Sequence, residues 1–172
     1  MRIIAGTHRG QRVDAPKGLE TRPTSDRARE SAFNLIGPLD GATVLDVFAG
    51  SGAMGLEALS RGAASCVFIE SSREACRTIN ANLDKLQLRG TVIQQDALRA
   101  LAAERRTYDL VLCDPPYDYR DDGRLAANLA RVIAPNGLLV YETPAKLELE
   151  INALTIRTSR TYGSARLTLF EP

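Results

Sequence analysis

Short apolar runs alternate with helical patterns along most of the chain. From Thr43 onward, β-branched and other apolar residues predict five strands, at 43–48, 66–70, 91–95, 108–113 and 138–142. Apolar residues at helical spacing predict helices near 53–61, 72–86, 97–104 and 122–133. Since strands that alternate with helices form parallel βαβ units, we expect an α/β fold with a mostly parallel sheet covered on both faces.

The start of the chain has a pattern of its own. Two short β-like pieces, 2–5 and 11–14, surround a turn-rich stretch and predict a small hairpin. A helix should follow, with Thr24 or Ser25 as its cap, and should end before Gly37.

The end of the chain predicts a second hairpin. The stretches 153–160 and 165–170 alternate between apolar and polar residues on either side of a turn, so they should complete a seven-stranded sheet with an antiparallel strand. We therefore divide the chain into an N-terminal hairpin and helix extension, residues 1–40, and a main domain, residues 41–172.

Length and composition narrow the class of protein. With 172 residues and 44% hydrophobic content, the chain suits a globular domain. No apolar run approaches the roughly 20 residues of a membrane span, and the N-terminus lacks the apolar core of a signal peptide, so we expect a cytoplasmic protein. The three cysteines have no metal-binding spacing, which predicts reduced packing residues and no metal site. We also expect a monomer.

A glycine-rich loop follows the first predicted strand and opens a helix. It comprises Phe48, Ala49, Gly50, Ser51 and Gly52. In doubly wound sheets ligands bind at this edge, where glycine permits close approach of the backbone and the helix N-terminus offers unpaired N–H groups. The stretch 50–55 also matches G-x-G-x-x-G, so a nicotinamide or flavin dinucleotide is the alternative to S-adenosylmethionine.

Acidic residues at strand ends bear on this choice. Asp46 suits the ammonium group of S-adenosylmethionine, whereas it would repel a dinucleotide pyrophosphate. Glu70 can accept the ribose hydroxyls of either ligand. Asp96, followed by Ala97, can accept from the adenine amino group. Each acid can instead be a helix cap or a solvated strand end; taken with the loop, they favour S-adenosylmethionine.

The fourth predicted strand leads into Asp114-Pro115-Pro116-Tyr117 at the same edge. The amino group of a base is a poor nucleophile because its lone pair is delocalised, so a catalyst must align it and polarise its N–H bonds. The prolines remove N–H donors and leave the Asp114 side chain and the Pro115 carbonyl as acceptors, while Tyr117 offers a stacking face. An isolated Asp-Pro-Pro can simply end a strand. After the glycine loop, it predicts methylation of an exocyclic amino group on a nucleic-acid base.

The first 29 residues are basic, with seven Lys or Arg against three acids, although the net charge of the chain is only +1. Of the 22 basic residues in the chain, 19 are arginine, which suits phosphate and base contacts. A GC-rich genome explains such a bias equally well. The predicted nucleic-acid contacts are Arg9, Arg12, Arg22, Arg27 and Arg29.

Taken together, these motifs resemble the RsmD family nearly end to end. The discriminating part is the N-terminal set, because the other motifs occur in many amino-methyltransferases; it comprises Arg2-Ile3-Ile4-Ala5-Gly6, Arg9-Gly10, Thr21-Arg22-Pro23-Thr24, Asp26-Arg27 and Arg29-Glu30. The resemblance implies a Rossmann-like class I S-adenosylmethionine methyltransferase that acts on the N2 amino group of a guanine in 16S ribosomal RNA.

The resemblance also implies roles for the residues above. Asp46, the 48–52 loop, Glu70 and Asp96 would contact the cofactor, residues 114–117 would form the catalytic loop, and the basic N-terminal segment would hold 16S ribosomal RNA or the small ribosomal subunit. The segments after Tyr117 and Glu142 are shorter than the family pattern. The alternatives are an amino-methyltransferase for adenine N6 or cytosine N4, a nicotinamide-dependent oxidoreductase, and a non-catalytic RNA-binding module.

Overall fold

The structure is a computed structural model that describes residues 1–16, 26–119 and 123–172. The helices in these ranges are α1 Asp26–Ile36, α2 Ala53–Ser60, α3 Arg73–Leu86, α4 Ala97–Ala103 and α5 Arg124–Val132. The strands are β1 Thr43–Val47, β2 Ser65–Glu70, β3 Gly90–Gln94, β4 Tyr108–Cys113, β5 Ile133–Pro144, β6 Thr155–Tyr162 and β7 Ala165–Glu171. Of the helices in the described ranges, none combines the length and the apolar character needed to cross a bilayer.

The strands form one seven-stranded sheet in the order β3-β2-β1-β4-β5-β7-β6. Strands β1 to β5 pair in parallel, and β7 lies antiparallel between β5 and β6. The predicted mostly parallel sheet with an antiparallel hairpin at its end is confirmed. Successive strands are added on one side of β1 as far as β3 and on its other side from β4 onward, and this change of side leaves a cleft at the carboxyl ends of β1 and β4.

Strand β5 differs most from its prediction, which began at residue 138. It begins at Ile133, directly after α5, and its pairing with β4 shifts register between Tyr108 and Leu110. Tyr108 pairs with Ile133, but Leu110 pairs with Leu138. The intervening residues therefore bulge out of the ladder, and since they include a proline and a glycine, they carry the composition of a turn.

Both faces of the central strands are buried, because β1 alternates between two apolar clusters. Val44 packs with Leu56 of α2 and Ile79 of α3 on one face of the sheet. Leu45 packs with Leu101 of α4 and other residues on the opposite face. This two-sided burial explains why the strands read as continuous apolar runs in the sequence.

The N-terminal hairpin consists of one isolated antiparallel bridge, between Arg2 and Arg12. Backbone hydrogen bonds join its two halves, among them one from the Ile3 amide to the Gln11 carbonyl at 2.9 Å. The hairpin is also attached to α2, because the Glu57 carboxylate accepts the N–H groups of Ile4 and Ala5 at 2.8 and 3.0 Å. Ile3 and other N-terminal apolar residues are buried in the apolar cluster that contains Val44 of β1. The predicted caps of α1, residues 24 and 25, lie outside the described residues, and the boundary near residue 40 stays a prediction.

Candidate active site

Carboxylates lie at corresponding positions of three neighbouring strands, at the carboxyl edge of the sheet. In the register of β1, Asp46 pairs with Phe68 of β2 and Leu112 of β4. Glu70 and Asp114 follow two residues later on those strands, and since side chains alternate with a period of two, all three acids project from the same face. Among the described residues, no three side chains of the kinds that bind metals are grouped to hold an ion.

Asp46 is a buried carboxyl group, only 5% exposed. One of its oxygens accepts the Gly55 amide of α2 at 2.9 Å. Loss of hydration raises the pKa of Asp46 to about 8, helped by the nearby charges of Asp114 and Glu70 and opposed by the Gly55 hydrogen bond. Asp46 is therefore mainly protonated at neutral pH until a cation comes close to it.

Glu70 shapes the glycine loop. Its two carboxylate oxygens accept the Gly50 amide at 2.8 Å and the Ser72 amide at 2.7 Å. Gly50 and Gly52 have φ values of +54° and +76°, which L side chains rarely adopt. The Glu70 carboxylate thus connects the end of β2 to the loop after β1. Its predicted contact with ribose hydroxyls stays a prediction.

Gly55 has a packing role that differs from that of the loop glycines. A Cβ atom there would lie 2.3 Å from the Phe68 ring and 2.7 Å from Cys66 Sγ. The residue therefore lets α2 lie close against β2, and its amide reaches Asp46. This matches the helix-packing role of the third glycine in dinucleotide-binding loops, so this glycine alone does not distinguish the two ligand classes.

Phe48 joins the glycine loop to the predicted catalytic loop. It has a φ of +61°, a conformation that costs a non-glycine residue about 1 kcal/mol or more. Its ring packs edge-on against the ring of Tyr119, with centroids 5.3 Å apart. The strained conformation of Phe48 therefore accompanies an aromatic contact between the glycine loop and the segment just after the predicted catalytic loop.

The predicted catalytic residues follow β4 directly. Pro115 is buried, whereas Asp114, Pro116 and Tyr117 are exposed, and the exposed fraction of Tyr117 is 46%. The Tyr119 amide donates to the Pro116 carbonyl at 2.8 Å and closes a turn. Although Asp114 is accessible to solvent, the surrounding protein reduces its hydration and raises its pKa to about 6.

Asp96 caps a helix, the alternative that its sequence context left open. Its Oδ1 accepts the Arg99 amide at 3.1 Å at the start of α4, and the next residue, Ala97, is buried. A carboxylate retains further acceptor capacity in this arrangement. Contact between Asp96 and an adenine amino group stays a prediction.

The profile of a protein family described as Conserved hypothetical protein 95 matches residues 1–171. The chain belongs to this family, the RsmD family. It is 37% identical to Ribosomal RNA small subunit methyltransferase D of Escherichia coli (strain K12), over 88% of this chain and 75% of the relative. With the protein of the same name from Haemophilus influenzae it shares 34% identity, over 99% and 93% of the two chains.

A solved structure of the Escherichia coli protein yhhF superposes on this RsmD-family chain with a TM-score of 0.90 at 33% identity, covering 99% of this chain and 96% of the other. The predicted Rossmann-like methyltransferase fold is thereby confirmed. A more distant crystal structure, of a complex with SAH (S-adenosylhomocysteine), has a TM-score of 0.70 at 16% identity over 85% of this chain and 48% of the other. This second likeness concerns the fold alone.

One predicted RNA contact of this RsmD-family chain is wrong. Arg29 is only 1% exposed and lies 3.7 Å from the Glu57 carboxylate, which is fully buried. It also pairs with Asp26 at 3.0 Å and donates to the Arg2 carbonyl. Because these groups enclose the guanidinium, Arg29 binds the N-terminal segment to α2 and does not face RNA.

The other predicted RNA contacts are spread over the surface. Arg9, Arg12 and Arg27 are exposed, and Arg22 lies outside the described residues. Arg9 follows His8, whose amide donates to Ser60 Oγ at 3.0 Å. Ser60 ends α2, about 12 Å along the helix from the glycine loop at a rise of about 1.5 Å per residue. Any RNA contact of Arg9 therefore involves a part of the RNA away from the reacting base.

Two further residues of the cleft were not identified from the sequence. Glu142 of β5 is half-buried, and loss of hydration together with the charge of Asp114 raises its pKa to about 7. An acid at the carboxyl end of the strand after the catalytic loop was the available signal for it. Nothing in the spacing of Tyr119 marks its contact with Phe48.

Proposed function

We propose that this chain transfers a methyl group from S-adenosylmethionine to the N2 amino group of a guanine in 16S ribosomal RNA. One observation carries the proposal: the adjacent ends of β1 and β4 present a glycine loop with a buried acid, Asp46, and an Asp-Pro-Pro-Tyr loop to one cleft. Relatives of this chain are named Ribosomal RNA small subunit methyltransferase D, which supports ribosomal RNA as the polymer.

The residues around the glycine loop suit S-adenosylmethionine. Within the described residues, the buried Asp46 carboxyl has no cationic partner and accepts only the Gly55 amide. A ligand ammonium would supply the missing positive charge and would favour the ionised carboxylate. Both oxygens of Glu70 accept one amide each and keep lone pairs for ribose hydroxyls. A pyrophosphate would bring no positive charge to this buried acid and would oppose its ionisation, which disfavours a dinucleotide.

S-adenosylmethionine, when bound, supplies a methyl group attached to a sulfonium, with a neutral thioether as the leaving group. The chain's own contribution is to orient the base. Asp114, with a pKa of about 6, is ionised at neutral pH and accepts a hydrogen bond from the amino group. That bond aligns the nitrogen with the methyl carbon and gives its proton an acceptor during or after transfer.

The three residues after Asp114 complete the arrangement. Pro115 and Pro116 have no N–H groups, so no backbone donor at these positions competes for the substrate's acceptors. Tyr117 is exposed at the mouth of the cleft, where its ring can stack on a base turned out of the RNA. Flipping the base out of its helix would bring the amino group within reach of Asp114.

The decisive experiment compares Asp114→Ala with Asp84→Ala, which removes an exposed acid on α3. We expect Asp114→Ala to bind S-adenosylhomocysteine normally and to lose at least 1000-fold in methyl transfer to small-subunit RNA, because alignment and the proton acceptor are both removed. Asp84→Ala should behave like the wild type. Incorporation of tritiated methyl groups and mass spectrometry of nucleosides provide the readout.

Two results would count against the proposal in different ways. Full activity of Asp114→Ala would remove the catalytic assignment. A product other than N2-methylguanosine, such as N6-methyladenosine or N4-methylcytidine, would keep the methyl transfer and overturn the choice of base.

A further inference from the structure

Glu142 lies beside Asp114 at the carboxyl edge of the sheet. Cys113, the last residue of β4, pairs with Tyr141 of the parallel strand β5. Asp114 follows β4 directly, and Glu142 is the next residue of β5. Side chains alternate along a strand, and Leu112 and Val140, two residues earlier, belong to the same apolar cluster. Asp114 and Glu142 therefore project from one face of the sheet, on neighbouring strands.

Neither carboxylate helps to hold together the part of the fold that the structure describes. Within the described residues, no hydrogen bond or ion pair engages the side chain of Asp114 or Glu142. Loss of hydration raises the pKa of Glu142, and the neighbouring charge of Asp114 raises it further. Two unpaired acids at this place cost stability, and a ligand with two adjacent donors would remove that cost.

Guanine carries two such donors side by side. Its ring N1–H is next to the N2 amino group, so two neighbouring carboxylates can accept from both. In adenine and cytosine the ring nitrogen next to the amino group has a lone pair in place of a proton. A carboxylate would repel this lone pair, and flipped bases are read by contacts of this kind on their pairing edge.

We propose that Glu142 accepts the N1–H of the target base and makes the site selective for guanine. The inference rests on the proposed function, because it assumes that Asp114 holds the N2 amino group. Glu142 lies on the strand next to the one that carries the catalytic loop. Its role there is to select the base, and it takes no part in the transfer of the methyl group. Its two neighbours on β5, Tyr141 and Thr143, are buried, which orients the strand and leaves Glu142 as the acid available to the cleft.

The test uses small-subunit RNA that carries either guanine or 2-aminopurine at the mapped methylation site. 2-Aminopurine keeps the amino group on the same carbon but has a bare ring nitrogen where guanine has N1–H. We expect the wild type to prefer guanine in kcat/KM, and Glu142→Gln to reduce this preference about tenfold or more, because a neutral amide can donate to the bare nitrogen. The exposed Glu150→Gln is the matched control and should leave the preference unchanged.

The preference between the two bases separates this role from a structural one. A variant that merely loosened the cleft would lower kcat/KM for both RNAs in parallel, and an unchanged ratio in Glu142→Gln would overturn the inference. Should Glu142→Gln fail to bind S-adenosylhomocysteine, Glu142→Ala is measured in its place. The ratio of its kcat/KM values for the guanine and 2-aminopurine RNAs then decides whether Glu142 selects the base. If the wild type methylates no guanine amino group, the proposed function is wrong and this inference is wrong with it. If guanine is methylated but Glu142→Gln has the wild-type ratio of kcat/KM values for the two RNAs, only this inference is wrong.

Discussion

The acids of the cleft and the acids that stabilise the fold differ in their partners and in the direction in which their pKa values are shifted. Glu104 accepts from the Arg106 side chain at 2.7 Å and from the Tyr108 hydroxyl at 2.8 Å. These bonds, led by that of Arg106, lower the pKa of Glu104 to about 2. In the cleft, no cation among the described residues pairs with Asp46 or Asp114, and the pKa values of these acids are raised to about 8 and about 6.

This difference separates structural acids from acids that wait for a ligand. A paired acid favours its charged form and stabilises the protein at neutral pH, whereas an unpaired buried acid reduces stability as it is forced to ionise. Strongly perturbed acids in a cleft therefore indicate function when no partner inside the protein accounts for them. Glu57 shows that burial alone is not the signal, because it is fully buried but paired with Arg29 and Arg61.

The largest effect that would sharpen this contrast is expected from Asp46→Asn. Without the carboxylate, affinity for S-adenosylhomocysteine should fall at least 100-fold, since the ligand ammonium loses its counter-charge. The raised pKa of Asp46 means that wild-type stability from this group is full below about pH 4 and is lost as pH rises through about 8. Near pH 8 the free energy of unfolding of the variant should therefore exceed that of the wild type by on the order of 2 kcal/mol, so that the variant unfolds at a higher urea concentration.

Titration calorimetry and urea unfolding at pH 4.5 and pH 8 measure both parts of this prediction, with Asp84→Asn as the control. A variant that loses stability at pH 8 would contradict the view that Asp46 is a costly acid kept for a ligand.

The opposite change is expected from Glu57→Ala. This substitution removes the acceptor for the amides of Ile4 and Ala5 and leaves the buried Arg29 with the exposed Asp26 in place of its buried counter-charge. We expect a loss of about 3–5 kcal/mol in the free energy of unfolding, measured by urea titration. The exposed Glu30→Ala should change it little. Equal effects of the two variants would show that the buried ion pair does not hold the N-terminal segment.

The smallest effect is expected from Arg27→Ala. This variant tests whether an exposed arginine acts in RNA binding and not, as the buried Arg29 does, in stabilising the fold. Arg27 is exposed on the first turn of α1, so its loss should weaken RNA binding a few-fold and reduce the salt dependence by about one ion, with stability unchanged. Arg157→Ala, on the edge strand β6, is the control. Filter binding across a salt series would reject the prediction if both variants bound alike.

Much of the site could be predicted from the sequence because its signals are local. The glycine loop and Asp114-Pro115-Pro116-Tyr117 each occupy consecutive residues, and the rule that parallel strands share one carboxyl edge brings them together. Arg29 and Glu142 could not be assigned in this way. The burial of Arg29 depends on Glu57, which lies 28 residues further along the chain, and the role of Glu142 depends on the register between β4 and β5.

The sequence by itself determined the alternation of strands and helices, the two loops at the strand ends and the family to which the chain belongs. These follow from periodicity and from residue types whose backbone or chemical requirements are the same wherever they occur. Only the tertiary structure decided which charges are paired. A lone acid and a neutralised one have the same letter in the sequence, and the difference between Asp46 and Glu57 arises from which arginines the fold places within reach.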